Sequence, residues 1–395
     1  SCAERGNVMT IALSPILKRL RPSATVASTE KARLRKFEDP SVLVVGAGEP
    51  DFDTPEHVKE AAIEAIRHGD TKYTSTAGTP ALRRAIVEKF RRENGLDYSP
   101  DQIVVGTGGK QVIFNALIAT VSPGDEIILP RPSWVSYADI AELVEGVVVS
   151  VECSAADGFK ISPPMLEAAI TPRTRWFVIN SPCNPSGAVY SAAELRALAD
   201  VLLKHPDVMI LSDDIYEHLV YDGTQFATIA AVAPELHDRT VVVNGVSKAH
   251  CMTGWRIGYG AAPVWLAQAM TRLQAQTTTS NSSISQAAAT AALTGPTDFI
   301  AEHNQAYQRR RDMMVEAINR TGLLHCASPS GAFYLFVDVS KLIGRRTPNG
   351  RIMENDLDVA DFFLDAARIA VVPGSGFGLS PYVRFCFAYS DEILA

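Results

Sequence analysis

Four stretches of the sequence carry side chains that could do chemistry together. The first is Tyr382-Val383-Arg384-Phe385-Cys386-Phe387. A two-residue period puts Val383, Phe385 and Phe387 on one face of a strand and Arg384, Cys386 and Ala388 on the other. An arginine among such neighbours needs a carboxylate or phosphate partner, because an unpaired buried charge is costly. Two partners meet that need equally well here: an internal acid in a salt bridge, or the carboxylate of a substrate. The second stretch, Val208-Met209-Ile210-Leu211-Ser212-Asp213-Asp214-Ile215-Tyr216, sets two carboxylates and a phenol just past an apolar strand. Ligands of open α/β sheets gather at the carboxyl ends of strands. A helix-capping aspartate is the plainer reading and covers either acid, though not Tyr216. No metal site is expected beside them.

The third stretch follows another strand and runs from Asn244-Gly245-Val246-Ser247-Lys248 to Gly254-Trp255-Arg256. A lysine in a Gly- and Ser-bearing loop, with an arginine eight residues on, suits an amine that forms a Schiff base near an anion site. Single lysines are more often solvated surface groups. The fourth, Gly106-Thr107-Gly108-Gly109-Lys110, passes from strand to helix, where backbone N–H groups can cradle a phosphate. It is not a Walker loop, since Gln111 replaces Ser/Thr and Val104 stands where the first Gly belongs; it also lacks the third glycine of a dinucleotide fingerprint.

The elements that must position these stretches are legible around them. Asp53-Thr54 before Pro55 starts a helix running to Gly69 with Val58, Ala62 and Ile66 on one face, and Thr79-Pro80 opens another through Leu82, Ile86 and Phe90 to Gly95. Apolar runs of strand length follow at Gln102–Val105, Glu126–Leu129, Val147–Val151, Trp176–Asn180, Val208–Ser212 and Thr240–Asn244. Helical stretches such as Gln111–Thr120, Trp134–Glu145 and Ala192–Lys204 separate most of them, which argues for a mostly parallel sheet covered on both faces. From about residue 297 to 320 runs a charged helix whose Gln308-Arg309-Arg310-Arg311 reads as a solvated face. Ala332–Val339 and Tyr382–Ala388 alternate like half-buried strands around a helix near Asp356–Ala367, and they predict a small domain joined by the first forty or so residues. Ser390–Ala395 reads as a helix start, so the chain is expected to continue past it.

Composition narrows the function classes. A chain of 395 residues is long enough for two to three domains. Its 37 Lys and Arg against 44 Asp and Glu give a net charge of −7, so there is no basic field for nucleic acid or an anionic membrane surface. The longest uncharged run, Leu273–Thr297, is too rich in Gln, Thr, Ser and Asn to span a membrane. Six scattered cysteines without a C-x-x-C argue against a disulfide scaffold or structural zinc and read as reduced thiols of a cytoplasmic protein. The first ten residues lack the basic-then-apolar order of a signal peptide.

Taken together, the sequence resembles the class I aminotransferases, fold type I enzymes that use pyridoxal 5′-phosphate (PLP), and within them it is most similar to the bacterial aspartate and prephenate aminotransferase subgroup. The segments that carry the resemblance occur in the family's order from about Arg21 to Ala388: Gly48-Glu49-Pro50-Asp51-Phe52-Asp53-Thr54-Pro55, Gly108-Gly109-Lys110-Gln111, Pro132-Ser133-Trp134-Val135-Ser136-Tyr137, Asn180-Ser181-Pro182-Cys183-Asn184-Pro185-Ser186-Gly187, Ser212 to Glu217, Ser247 to Tyr259, and Val383-Arg384-Phe385.

The resemblance implies an α/β fold type I architecture. A large domain over residues 50–297 would hold a mostly parallel seven-stranded sheet, and a smaller α/β domain would be built from residues 1–49 and 298–395. It also implies roles. Lys248 would hold PLP as a Schiff base and then shuttle the substrate Cα proton. Asp213 would pair with the pyridinium nitrogen, Asn184 and Tyr216 would bond the 3-oxygen, and Trp134 would stack on the ring. Arg256, Ser247 and the turn through Gly108, Gly109 and Lys110 would hold the phosphate, with Tyr73 reaching it from the partner in a homodimer. Arg384 would clamp the α-carboxylate together with Gly48, Trp134 and Asn184.

In this subgroup the positions of Lys110 and of Thr25, within Arg21-Pro22-Ser23-Ala24-Thr25, go with dicarboxylic and prephenate substrates. Arg21 offers a further positive charge, and the polar run Gln274–Ser285 is a candidate for crossing to the partner's site. Asp214 and Ser186 replace the commoner Glu and Thr, and Cys183 and Cys251 read as packing residues. The activity implied is a ping-pong transamination between aspartate or glutamate and a 2-oxo acid. The alternatives are prephenate/arogenate, aromatic or neutral amino donors, C–S lyase chemistry on the same lysine, and a non-catalytic regulatory binding protein.

Overall fold

The structure is a computed structural model that describes residues 12, 14–20 and 24–395; the side chains of residues 24 and 25 lie outside that description. In chain order its strands are β1 (Leu43–Val44), β2 (Ile103–Gly106), β3 (Glu126–Arg131), β4 (Val147–Glu152), β5 (Thr174–Asn180), β6 (Met209–Asp213), β7 (Thr240–Gly245), β8 (Gly258–Ala261), β9 (Tyr334–Asp338), β10 (Ile369–Ala370), β11 (Val372–Pro373) and β12 (Tyr382–Cys386). Seven of them form one sheet in the order β2-β8-β7-β6-β5-β3-β4, and all but β8 point the same way. Such a sheet is apolar on both sides, and successive residues divide between its faces. Ile127, Leu129, Trp176 and Val178 pack with helices Gly108–Thr120 and Val264–Ala275, whereas Ile128, Phe177 and Ile179 pack with Ala192–Leu202.

The six apolar runs read from the sequence are all strands here. The seventh, β8, went unread because Gly-Tyr-Gly-Ala carries almost no strand signal. Its glycines are there for proximity: a Cβ on Gly258 would fall on the backbone of Gly108 and Gly109, and one on Gly260 would meet Val112 Cγ1 at 2.5 Å. The helix expected from Asp53-Thr54 starts later, at Glu56–Arg67, and no side chain caps it. Thr54 Oγ1 instead donates to the Cys251 carbonyl at 2.6 Å. At 100° per residue the inward stripe passes through Val58, Ala62 and Ala65, so Ile66 turns out to solvent, 55 % exposed.

The arginine run also differs from its reading. In helix Asp298–Arg320, Arg310 and Arg311 are buried, not solvated. Arg310 pairs with Asp51 and Asp391, and Arg311 with Asp222 and Asp312. Beyond this helix, β11, β12 and β9 form an antiparallel sheet, and β1 from the chain's beginning pairs in parallel with β10 near its end. Helix Ala24–Glu38 is tied to the same region by Ser28 Oγ donating to the Val371 carbonyl (3.2 Å) and by Lys31–Asp361 (2.5 Å). Among the described residues no helix is long and apolar enough to cross a membrane.

Candidate active site

Parallel strands deliver their last side chains to one edge, and that edge is where the chemistry-bearing residues meet. A cavity of about 610 Å³ opens there, lined among others by Asn180 at the end of β5, Asp213 at the end of β6, Lys248 in the loop after β7, and Arg384 from β12. Its size suits a small cofactor with a substrate. Asp213 is buried; its Oδ2 accepts from the Tyr137 hydroxyl at 2.5 Å and its Oδ1 from the Ile215 N–H at 3.3 Å. Burial pushes its pKa up to about 6, against the lowering effect of Tyr137 and Lys248. Asp214 faces away: it accepts from Ser212 Oγ at 2.7 Å, and burial raises it to about 8. Neither acid caps a helix, since the chain after β6 turns without forming one.

Lys248 donates to the Gly48 carbonyl at 2.6 Å, and burial lowers its pKa to about 8. Its Nζ stands 5.6 Å from the Tyr216 ring centre. Tyr216 is buried and shares a 2.7 Å hydrogen bond with the Tyr334 hydroxyl. Arg384, which also lines the cavity, is 7 % exposed; Nη1 donates to Asn184 Oδ1 (2.7 Å) and Nη2 to the Gly46 carbonyl (2.6 Å). The rings of Tyr334 and Phe377 flank its guanidinium at 4.4 and 4.8 Å. Its Nε has no partner, and among the described residues no carboxylate pairs with it. Among the described residues the internal salt bridge is therefore not formed, and the external anion is the reading that stays open.

Gly108 begins helix Gly108–Thr120 at φ +73°, and a Cβ there would collide with the Arg256 guanidinium. Gly109, Lys110, Ser247 and Arg256 all line the cavity, so a helix N-terminus and an exposed guanidinium face it together. That pairing can hold a phosphate. Lys110 sits with Nζ 4.9 Å over the half-buried Trp134 ring, with no carboxylate within ion-pair distance among the described residues. Burial, followed by the nearby Arg256, lowers its pKa.

The cavity thus gathers Gly48, Gly109, Lys110, Trp134, Asn184, Asp213, Tyr216, Ser247, Lys248, Arg256 and Arg384 of the residues picked from sequence, with Gly108 against Arg256. Tyr73 is not among its lining; it is 93 % exposed. The Thr25 side chain and Arg21 lie outside the described residues. Of the run Gln274–Ser285, Gln274 is fully buried and donates to the Thr76 and Val105 carbonyls (2.9 and 2.7 Å), while Thr277 to Thr279 are exposed. Sequence reasoning missed Tyr334, Asn180 and the part Tyr137 plays. Asn180 Nδ2 donates to the Asp213 carbonyl and its Oδ1 accepts from the Asn184 N–H, both at 2.9 Å, which locks two strand ends together. Only Tyr137 had a local signal, three residues past Trp134 on one helical turn.

Residues 40–394 match the family described as Aminotransferase class I and II. The chain is 53 % identical over 382 residues to the aspartate/prephenate aminotransferase of Cereibacter sphaeroides, covering 97 % of this chain and 96 % of that protein. It is 54 % identical over 364 residues to the aspartate aminotransferase of Rhizobium meliloti, covering 92 % and 89 %. Among solved structures, the aspartate aminotransferase from Rhizobium meliloti superposes with a TM-score of 0.94 at 51 % identity, covering 97 % and 96 %; that from Thermus thermophilus with maleate does so at 0.90 and 43 %, covering 97 % of each chain. With the match running over nearly the whole chain, the protein belongs to the class I and II aminotransferase family.

Proposed function

We infer that the chain is a PLP-dependent transaminase exchanging amino groups between aspartate or glutamate and the corresponding 2-oxo acids. We place it in the cytoplasm as a homodimer, with residues 50–297 as its large domain and 1–49 with 298–395 as its small one. The observation that carries this is the single cavity onto which the Lys248 amine, the Asp213 carboxylate and an Arg384 guanidinium with no carboxylate partner among the described residues all open. The residues fit PLP: Gly108 opens its helix at φ +73° against the Arg256 guanidinium, and Asp213 is a buried acid without a cation paired to it among the described residues.

Bound PLP supplies an electron sink conjugated to the substrate nitrogen, which acidifies the substrate Cα–H. The chain's own residues do the rest. Arg256, Ser247 and the backbone at Gly108–Lys110 hold the phosphate, joined by the partner subunit's Tyr73. Asp213, kept a carboxylate by Tyr137, pairs with the ring nitrogen. Tyr216 and Asn184 would hydrogen-bond the cofactor's 3-oxygen, and Trp134 would pack against its ring. Arg384 grips the α-carboxylate in a bidentate fork, which fixes the Cα–H toward Lys248. Lys248 would hold the cofactor through its amine and, once free, would accept the proton from the substrate Cα.

Tyr137→Phe tests the Asp213 pairing. The hydroxyl is a donor to the charged carboxylate, so its loss raises the Asp213 pKa further above about 6. The acid limb of PLP affinity, followed by fluorescence or absorbance across pH, is expected to move up by about one unit. An unmoved limb would show that Asp213 does not pair with the ring.

Substrate choice rests on Lys110 and the relatives' names. A cation over Trp134 without an ion-pair partner among the described residues is placed to receive a distal carboxylate, and the Thermus relative was solved with maleate, a four-carbon dicarboxylate. The test is a single-turnover absorbance scan with aspartate, glutamate, arogenate, phenylalanine and alanine. Fast conversion is expected with the dicarboxylates, and Lys110→Ala should cut their kcat/KM by about 10- to 100-fold, the worth of one charge-assisted hydrogen bond, with alanine little changed. Conversion mainly by phenylalanine or alanine would discard the aspartate assignment and keep the transaminase. Prephenate enters as a second amino acceptor, with arogenate as its product, because the Cereibacter relative is named for aspartate and prephenate.

A further inference from the structure

Just outside the cavity, beneath the turn that carries Tyr216, four buried or half-buried polar side chains form a closed network. Lys89, at the end of helix Pro80–Lys89, is 1 % exposed. Its Nζ donates to the Glu217 carboxylate and, at 2.8 Å, to Asn94 Oδ1. Glu217 accepts two more hydrogen bonds, from Asn94 Nδ2 (2.6 Å) and from Asn244 Nδ2 (2.9 Å). Asn244 Oδ1 in turn accepts from the Gly245 N–H at 2.8 Å. Burial pushes Glu217 toward protonation, but Lys89, His218 and Asn94 outweigh it and hold the carboxyl below its usual range. Glu93 lies 3.6 Å from Lys89 Nζ and pairs with His218 at 2.8 Å; the His250 ring lies 6.2 Å from that of His218. The ammonium already lies against both acids, so the cluster reads as an ion network.

What makes the network functional is the chain it joins. Glu217 directly follows Tyr216, and Asn244 stands four residues before Lys248. None of Lys89, Glu217, Asn94 and Asn244 lines the cavity, while Tyr216 and Lys248 both do. One buried carboxylate therefore holds together the two backbone segments that deliver the phenol and the amine. Lys89 and Asn94 hold that carboxylate from one side while Asn244 donates to it from the other, so the balance of this network sets how the two segments lie against each other.

We propose that Lys89 is a positioning residue for Tyr216 and Lys248, acting through Glu217 and Asn244 to fix the distance between phenol and amine. The inference rests on the reading of Lys248 as the PLP-bearing amine. Its test is the pH titration of the bound cofactor's absorbance, which reports the protonation of the group Lys248 makes with it and is independent of turnover. Lys89→Met is expected to shift the midpoint by about 0.5 to 1 pH unit, with kcat lowered and KM for aspartate within about twofold of the parent. Lys89→Met/Glu217→Gln removes both charges and keeps an acceptor for Asn244, so it should return the midpoint to within about 0.2 unit of the parent. Asn94→Ala, a milder change, should shift it in the same direction as Lys89→Met and serves as the test if that variant fails to fold. A midpoint unmoved in the folded single variants, or a double variant displaced as far as Lys89→Met, overturns the inference while leaving the transaminase reading intact. A parent protein that takes up PLP without any such absorbance would overturn both.

Discussion

Arg384→Leu is expected to leave the empty protein at least as stable as the parent while cutting kcat/KM for every amino-acid substrate by about 10²- to 10³-fold. The two halves of that expectation come from one geometry. The guanidinium is 7 % exposed and among the described residues meets only neutral acceptors, Asn184 Oδ1 and the Gly46 carbonyl, between the rings of Tyr334 and Phe377. A buried charge with no counter-charge destabilises the fold that holds it, so an apolar side chain of similar length removes a cost. The loss appears when substrate binds, because its α-carboxylate is the missing counter-ion and the fork that receives it is gone. Thermal unfolding without ligands and steady-state kinetics on the same preparations check both halves. Arg384→Lys, which keeps the charge but not the fork, should fall between parent and leucine variant. A leucine variant that melts well below the parent yet turns over normally would make Arg384 a packing residue.

The sequence made Arg384's burial legible, since apolar neighbours alternate around it, but it left the partner open between an internal acid and a ligand. That choice depends on which groups from distant segments reach the guanidinium, and Asn184 lies 200 residues away. The same limit explains the other gaps. Six strands announced themselves as unbroken apolar runs because both faces of a parallel sheet are covered. β8 did not, because close approach to Gly108 and Gly109 forces glycine where strand formers belong. Arg310 and Arg311 read as solvated from a local charge run, yet Asp51, Asp222 and Asp391 arrive from elsewhere to bury them. Asp213 and Asp214 were both visible at the strand end; only the turn that follows decides that Asp213 faces the cavity and Asp214 faces Ser212. Tyr334 had no signal at all, for its meaning lies in a hydroxyl contact to Tyr216 across 118 residues.

Lys248→Ala is expected to abolish the covalently held cofactor's absorbance and to lower kcat by about 10⁴-fold or more, the upper range for loss of a general base together with a nucleophile. The reason lies in how the cavity treats the amine. An ordinary lysine at pH 7.5 is neutral in roughly one molecule in a thousand, whereas burial, lowering the Lys248 pKa to about 8, makes it neutral in roughly one in four. Neutral amine is the form that attacks a carbonyl and the form that accepts a proton from Cα. Lys248→Arg keeps a cation there but cannot deprotonate, and it should be as inactive as the alanine variant. The shift also has a sign in stability. Between about 8 and the ordinary 10.5 the folded chain has released the proton that the unfolded chain still holds, so the parent gains stability as pH rises through that window. Cofactor-free Lys248→Ala should therefore be more stable than the cofactor-free parent near pH 7, and the advantage should shrink toward pH 10. Paired denaturant unfolding curves at the two pH values read this directly. An advantage that grows with pH, or turnover within tenfold of the parent, would mean that Lys248 is neither the desolvated amine nor the base at Cα.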